Sequence, residues 1–321
     1  MAETPLLVIS CDRYADLWEP FFAVFRARWP DCPFPLFLGT NHKTCEIEGV
    51  TTINVGDDVS WSSGVRAMID RLDSDYAILF LEDFLLKEPV NTPAVERLVR
   101  VAREHHVGSL RLSPLPPPTP LPSRHVDGIE DLGIVLPGDN YRVSTQPAIW
   151  RLETLRKLLL PGFSAWDFEH LGTQLSAELD DTFWGPFTPT IVYDHGVEKG
   201  KWKPEGIEIC RSAGVEVDLK TRPAFTQAEL DAHLASAIPA MSDYAIRRDA
   251  TDAFARGRRL QGLRLAMRGL QKSPRSLPLW TVVPFGVAGP RAIAWLQRRV
   301  LRGKIDAARR AYDRKVAEKS R

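Results

Sequence analysis

The stretch Tyr76–Leu86, YAILFLEDFLL, constrains this chain more than any other. Its first six residues, Tyr76–Leu81, are apolar and too few for a spanning helix, so they read as a buried strand. Two adjacent acids, Glu82 and Asp83, then interrupt the run. Charges are costly to desolvate in the middle of such a strand. Both acids therefore belong at its carboxyl end, where the backbone leaves the sheet. Open α/β sheets bind ligands in the crevice outside that end. The competing reading is structural: the two acids cap a turn.

The segments before this stretch repeat the same logic. Leu6–Ser10 (LLVIS) reads as a first buried strand, followed by the loop Cys11-Asp12-Arg13-Tyr14. Asp16–Trp29 carries Leu17, Phe21, Val24, Phe25 and Trp29 at helical spacing. Phe34–Leu38 and Thr51–Val55 read as strands, and Ser60 opens a helix whose apolar positions are Val65, Met68, Ile69 and Leu72. A β-α-β-β-α-β order argues for a mainly parallel sheet with helices on its faces. The sequence contains no GxGxxG and no GxxxxGK(S/T), which disfavours a dinucleotide dehydrogenase or a P-loop enzyme.

Further along, Thr92–His105 reads as a helix and Gly108–Leu112 as a strand. Pro114–Pro122 holds six prolines in nine residues and reads as a stiff surface loop bordering the pocket. Tyr141–Trp150 alternates apolar and polar residues and reads as a strand entering a helix at Arg151–Leu159. Ser164–Ser176 reads as another helix, with Ser164 and Asp167 fitting a capping box. Thr190–Tyr193 is a last short strand, leading to Asp194-His195-Gly196 and Gly200-Lys201-Trp202. From Thr226 the pattern is helical: Ala240–Gln271, a proline-broken apolar connection at Leu277–Gly289, and a basic helix at Arg291–Lys319. The domain boundary is expected near Phe225, giving domains 1–225 and 226–321. The first has a nucleotide half at about 1–113 and an acceptor half at about 114–225.

Charge separates these parts. Phe254–Arg321 has 18 Lys/Arg against 3 Asp/Glu, a net of +15, whereas Met1–Ala253 has a net of −14. A basic tail on an acidic body suits an anionic partner: a membrane surface, nucleic acid, or the body itself. The four cysteines form no CxxC pair, so no zinc or redox motif is indicated and a reduced, cytoplasmic setting is expected. No basic segment precedes the opening apolar run, so no signal peptide is expected.

Four features, taken in order, resemble a bacterial nucleotide-sugar glycosyltransferase of the GT-A type, close to the family-2-like enzymes of surface polysaccharide assembly. They are the opening strand with Cys11-Asp12-Arg13-Tyr14, the acidic Leu81-Glu82-Asp83-Phe84, Trp166-Asp167-Phe168-Glu169 on the acceptor side, and the Arg/Leu-rich tail with Lys272-Ser273-Pro274-Arg275. The resemblance implies a Rossmann-like, mainly parallel sheet flanked by helices, with a basic α-helical C-terminal extension. It implies a nucleotide-diphospho-sugar donor and a glycan or lipid-linked acceptor. One departure bears on metal: a DxD motif would place a second acid where this chain has Phe84.

Glycosyl transfer asks for a balanced diphosphate charge, a held anomeric carbon and, for inversion, a carboxylate base. For the nucleoside, Asp12 is a candidate for base or ribose, Tyr14 for stacking and Glu82 for a ribose hydroxyl. Asp83 is the first candidate for a divalent cation, Mg²⁺ or Mn²⁺, since hard cations take oxygen ligands and bridge carboxylate to phosphate. His195 could be a further ligand or a phosphate donor, and Lys201 could reach the diphosphate. As base, Glu169 ranks ahead of Asp167, which the Ser164 cap already explains. Ser144, Thr145 and Gln146 could touch the acceptor. The plain alternatives are a loop histidine at His195, a solvated lysine at Lys201, a half-buried aromatic at Tyr14 and outward strand positions at 144–146.

The tail's cationic helices beside an apolar segment favour anionic lipid over nucleic acid, because interleaved aromatics and DNA-binding patterns are missing. That would make the protein peripheral on the inner face of the cell membrane. Two rivals stand beside the transferase: a sugar-phosphate nucleotidyltransferase, which would carry a Gly-rich loop after the first strand, and a non-catalytic membrane-associated scaffold of the same fold.

Overall fold

The computed structural model describes residues 3–114, 124–232, 246, 249–251, 253–254, 257–272, 274 and 277–319. Most of the proline-rich stretch at 114–122, the 240–245 start of the expected helix, and Ser273 and Arg275 lie outside them. The chain forms two compact units, Met1–Ala224 with Ala308–Arg321, and Phe225–Ala307.

The first unit is an α/β fold. Its strands are β1 Leu6–Ile9, β2 Leu36–Thr40, β3 Val50–Asn54, β4 Tyr76–Leu81, β5 Phe84–Leu86, β6 Ser109–Arg111, β7 Arg124–Val126, β8 Ile129–Ile134, β9 Ala148–Arg151, β10 Phe183–Pro186, β11 Tyr193–His195, β12 Val197–Glu198 and β13 Lys201–Trp202. Its helices are α1 Trp18–Arg28, preceded by a 3-10 turn at Asp12–Leu17, then α2 Trp61–Ile69, α3 Thr92–Glu104, α4 Leu152–Leu158, α5 Ala165–Leu175 and α6 Pro204–Ser212. Nine strands make one sheet in the order β3-β2-β1-β4-β9-β6-β10-β8-β7. Seven run in one direction; β9 and β8 oppose them.

Period-two alternation on fully buried strands sorts the core into two layers. Leu6 and Val8 of β1, with Tyr76, Ile78 and Phe80 of β4, share a cluster with Phe21, Phe22 and Phe25 of α1 and Val95 and Leu98 of α3. Leu7, Ile9, Ala77 and Leu79 face the other layer with Val65, Met68 and Ile69 of α2 and Leu152 and Leu155 of α4. α2 begins at Ser60, which forms a capping box with Ser63.

The expected strand at Tyr141–Trp150 is confined to Ala148–Arg151. The alternation before it is not a two-sided strand pattern. Arg142 is buried, its guanidinium donating to the carbonyls of Val135, Ser176 and Asp181. Tyr141 has a left-handed φ of 51°. Arg and Tyr thus serve turn geometry rather than a ladder. The expected strand at Thr190–Tyr193 begins only at Tyr193. Strands β7, β8 and β10 were not anticipated; Gly133, Gly185 and Pro186 within the last two mask them as strand patterns.

The second unit contains α7 Arg259–Lys272, α8 Leu277–Ala288 and the first part of α9 Pro290–Lys319. Its own core is Ala250, Phe254, Ala266, Leu270, Leu279 and Ile293. No helix among the described residues is long and apolar enough to cross a membrane.

Candidate functional site

The strand order β3-β2-β1-β4 makes a topological switch point between β1 and β4: the chain leaves β1 toward β2 and returns on the opposite side as β4. The carboxyl ends of these two strands carry Ser10–Tyr14 and Glu82–Asp83. The apolar run and its two acids therefore stand beside the crevice.

Glu82 is buried, beside the Ser10 hydroxyl, and its carboxyl is pushed up to about 8, first by burial and then by the Asp83 charge. Burial thus favours the protonated form, which can donate a hydrogen bond. Asp83 is partly exposed, with Oδ2 3.9 Å from His195 Nδ1. Backbone pairing brings these two together. β5 runs antiparallel to β11, with Phe84 opposite His195, and the Gly196 amide donates to the Asp83 carbonyl at 2.7 Å. The Phe84 ring lies buried against Tyr193 and His195, with centroids 5.0 and 4.7 Å away. α6 clamps this turn: a Cβ on Gly206 would come within 2.5 Å of the Gly196 backbone.

Tyr14 lines the other side. The Arg222 guanidinium stacks on its ring at 4.7 Å. Burial and then the Glu82 charge raise the Tyr14 phenol above its ordinary value, against the lowering effect of Arg222. Arg222 also donates to Asp16 at 2.7 and 2.8 Å, to the Gly200 carbonyl at 3.1 Å and to the Arg13 carbonyl at 3.3 Å. It ties the β12–β13 turn, where Gly200 has a φ of 78°, to the loop after β1. Lys201 follows Gly200 in this turn and is half-buried.

Asp12 points elsewhere. Its carboxylate accepts from Thr40 Oγ1 at 2.8 Å and from the His42 and Lys43 amides at 3.0 and 3.1 Å. Burial raises its pKa, but these donors outweigh burial and hold it below the ordinary value. Asp12 thereby fixes the loop after β2.

Glu169 and Asp167 divide on α5. Asp167 Oδ2 accepts from the Ser164 amide at 3.1 Å and hydroxyl at 2.7 Å, in a complete capping box. Glu169 Oε1 accepts from the Thr145 amide at 2.8 Å, the Thr145 hydroxyl at 2.9 Å and the Ser144 hydroxyl at 3.3 Å. Ser144 and Thr145 thus orient this carboxylate. Tyr193 links it to the β4 end: burial, then the Glu169 and Asp83 charges, push the Tyr193 phenol well above its ordinary range. Buried Arg111 also feels Glu169 and Tyr193, and burial lowers it to about 10, so it stays charged.

The fold gathers Tyr14, Glu82, Asp83 and His195 at the carboxyl end of β4, lines one hollow with Leu81 and the Ser144–Gln146 turn that holds Glu169, and leaves Asp12 and Asp167 in structural bonds. Arg222, Tyr193 and Arg111 escaped the sequence reading. Arg111 carried a legible signal, a charge inside the apolar run GSLRL; Arg222, 206 residues from Asp16, carried none.

Among the described residues no group of three or more His, Cys, Asp and Glu is placed to hold a metal ion. Mg²⁺ commonly takes one or two carboxylates and completes its shell with water and substrate phosphates. The Asp83 carboxylate fits that sparse protein contribution, whereas the His195 imidazole is a nitrogen ligand better suited to a transition-metal ion than to Mg²⁺.

No protein-family model matches the chain, and no curated protein matches it. Among solved structures it is similar to Staphylococcus aureus TarS 1-349 in complex with UDP, at 11% identity and a TM-score of 0.37, over 57% of this chain and 60% of that one. The TarS 1-349 complex with UDP-GlcNAc gives 10% identity and 0.37, over 66% and 65%. The 2-C-methyl-D-erythritol 4-phosphate cytidylyltransferase of Thermus thermophilus gives 15% and 0.32, over 74% and 98%. Such distances assign no activity to this chain.

Proposed function

We propose that the chain is a glycosyltransferase that moves a sugar from a nucleotide-diphospho-sugar to a glycan or lipid-linked acceptor in surface polysaccharide assembly. The observation that carries this reading is that Leu81, which Glu82 and Asp83 follow, lines one hollow with Ser144–Gln146, the turn whose Thr145 holds Glu169, so that acids from opposite halves of the fold border it. One acid beside a diphosphate and another beside an acceptor hydroxyl is what single displacement needs.

In this reading the nucleoside sits over the switch point, with its base on Tyr14, backed by Arg222, and a ribose hydroxyl taking the Glu82 proton in a hydrogen bond. Asp83, with His195, would hold Mg²⁺ or Mn²⁺, and such an ion would supply charge neutralisation for the leaving group. Lys201 adds a positive charge on the β13 side. Glu169, fixed through one oxygen by Thr145, takes the proton from the acceptor hydroxyl. The acceptor oxygen bonds to the anomeric carbon as the bond to the diphosphate oxygen breaks, and the electron pair leaves with the nucleoside diphosphate. The anomeric centre inverts. A lipid-linked acceptor would place the reaction at the cytoplasmic face of the cell membrane.

Buried Phe84, in place of a second acid, favours one rival, a non-catalytic scaffold. A single assay separates the two. Calorimetric titration with UDP, GDP, dTDP and CDP, with and without Mn²⁺, is expected to select one nucleotide, and the matching sugar donor is expected to be hydrolysed slowly. Selective binding without release of nucleoside diphosphate would support the scaffold; no binding would end both donor-site readings.

A further inference from the structure

Nine large hydrophobic side chains are exposed among the described residues, and six of them, Leu260, Met267, Trp280, Val287, Trp295 and Val300, belong to the second unit. Scattered exposed hydrophobics are ordinary, but a concentration of them marks an interaction surface. α8 is the centre of this one. Its sequence, LPLWTVVPFGVA, contains no charged residue. Trp280, Pro284 and Val287 recur at helical spacing and are all exposed, so they form one stripe. Trp280 is 53% and Val287 52% exposed.

The stripe cannot turn inward. Leu279 and the partly buried Val282, Val283 and Phe285 pack on the unit's own core. Gly286 sits so close to Phe254 that a Cβ there would meet the ring at 2.4 Å. The indole N–H of Trp280 already donates to the Pro274 carbonyl at 2.8 Å, leaving the ring's apolar body outward.

Charge identifies the occupant. Residues 257–305 contain eleven Lys/Arg and no Asp/Glu. The Arg299 guanidinium lies 5.2 Å over the Trp295 ring, which stacks on Phe285. A second copy of this chain would bring the same net positive charge against it and be repelled. Nucleic acid would match the arginines but leave the charge-free stripe without a role. An anionic bilayer satisfies both: phosphate headgroups meet the arginines, and the headgroup–acyl boundary accepts Trp and aliphatic side chains. At twelve residues α8 is too short to cross a bilayer.

We propose that α7, α8 and the first part of α9 form a docking face for an anionic lipid bilayer, with the Trp280–Pro284–Val287 stripe entering the interface and exposed arginines such as Arg259, Arg298 and Arg299 holding headgroups. The sequence assigned this role to the whole basic tail; the fold moves it off the tail's end, since Ala308–Arg321 belongs to the first unit and Lys319 pairs there with Asp57 at 3.6 Å. The proposal does not depend on glycosyl transfer.

The test is co-sedimentation of the full chain with phosphatidylglycerol–phosphatidylcholine vesicles and with phosphatidylcholine alone. Binding is expected to the anionic vesicles only and to weaken with added salt. The double variant W280S/V287S, which leaves the Phe254 core intact and should keep its circular dichroism, is expected to lose binding by about tenfold or more. R298E/R299E should lose it as well. Unchanged binding by W280S/V287S would reduce the interaction to charge alone and overturn the docking face. No vesicle binding, or a wild-type dimer that W280S/V287S splits, would also overturn it.

Discussion

Arg222 and Asp16, 206 residues apart, meet in a two-pronged ion pair with N–O distances of 2.7 and 2.8 Å. The pair closes the first unit across the site, because the same guanidinium holds the Gly200 carbonyl and stacks on Tyr14. Removing one partner strands the other with little water around it. Arg222→Ala is expected to cost about 3 kcal/mol in denaturant unfolding. Arg222→Lys should recover only part of this, because an ammonium cannot make both prongs. It should also lose nucleotide affinity if Tyr14 needs the stack, which calorimetry would read directly.

Glu82 should make stability depend on pH. Its carboxyl is raised in the folded chain to about 8, from an ordinary value of 4.5. The folded state therefore holds a proton that the unfolded chain releases, and stability falls as pH rises through that window. Glu82→Gln mimics the protonated acid and should abolish the fall. By pH 9 the variant is expected to melt at a higher temperature than the parent. A parallel pair of melting curves between pH 5 and 9 would show no divergence if the carboxyl titrates normally.

Asp83 and Glu169 should separate in kinetics. Asp83→Asn is expected to weaken nucleoside diphosphate binding by about tenfold or more and to remove any enhancement by Mn²⁺. Chelator treatment of the parent protein should have the same effect. Glu169→Gln should leave that binding intact and lower turnover by about 100-fold or more, as expected for a lost general base. Equal loss of nucleotide affinity in both variants would contradict the division of roles.

Thr145 tests how Glu169 is held. Its amide and hydroxyl both donate to Oε1. Thr145→Val keeps the shape and the amide but deletes the hydroxyl. Turnover is expected to fall by about tenfold with nucleoside diphosphate binding unchanged, because the base loses one of the donors that orient it. A change in thermal stability alone, with unmoved turnover, would reduce Thr145 to packing.

Gly206→Ala probes the clamp on the Asp83–His195 turn. The added Cβ would lie 2.5 Å from Gly196. Backbone cannot yield as a flexible side chain can, so a cost of about 2–3 kcal/mol is expected. The His195 ring resonances should shift, and the nucleotide titration should weaken with them. Unperturbed resonances would separate the clamp from the site.

Local pattern determined what period and cost can dictate. Tyr76–Leu81 is a strand because six apolar residues fill both layers of the core, and the Glu82–Asp83 charges fall at its end because a buried strand cannot carry them. Ser164 and Asp167 announce their capping box within four residues. Tertiary structure decided everything that needs two distant segments. Asp12, a candidate for the nucleoside by position, is spent on the amides of His42 and Lys43, which only the pairing of β1 with β2 brings near. Glu169 becomes an oriented carboxylate only because the turn at 144–145, expected as strand, folds onto α5. Arg222 enters the site through long-range contacts with Asp16, the Arg13 carbonyl and the Tyr14 ring, for which no periodicity exists to be read. Neighbouring residues set the free energies of strand, helix and cap; which charged groups then face one another depends on the topology that closes the sheet.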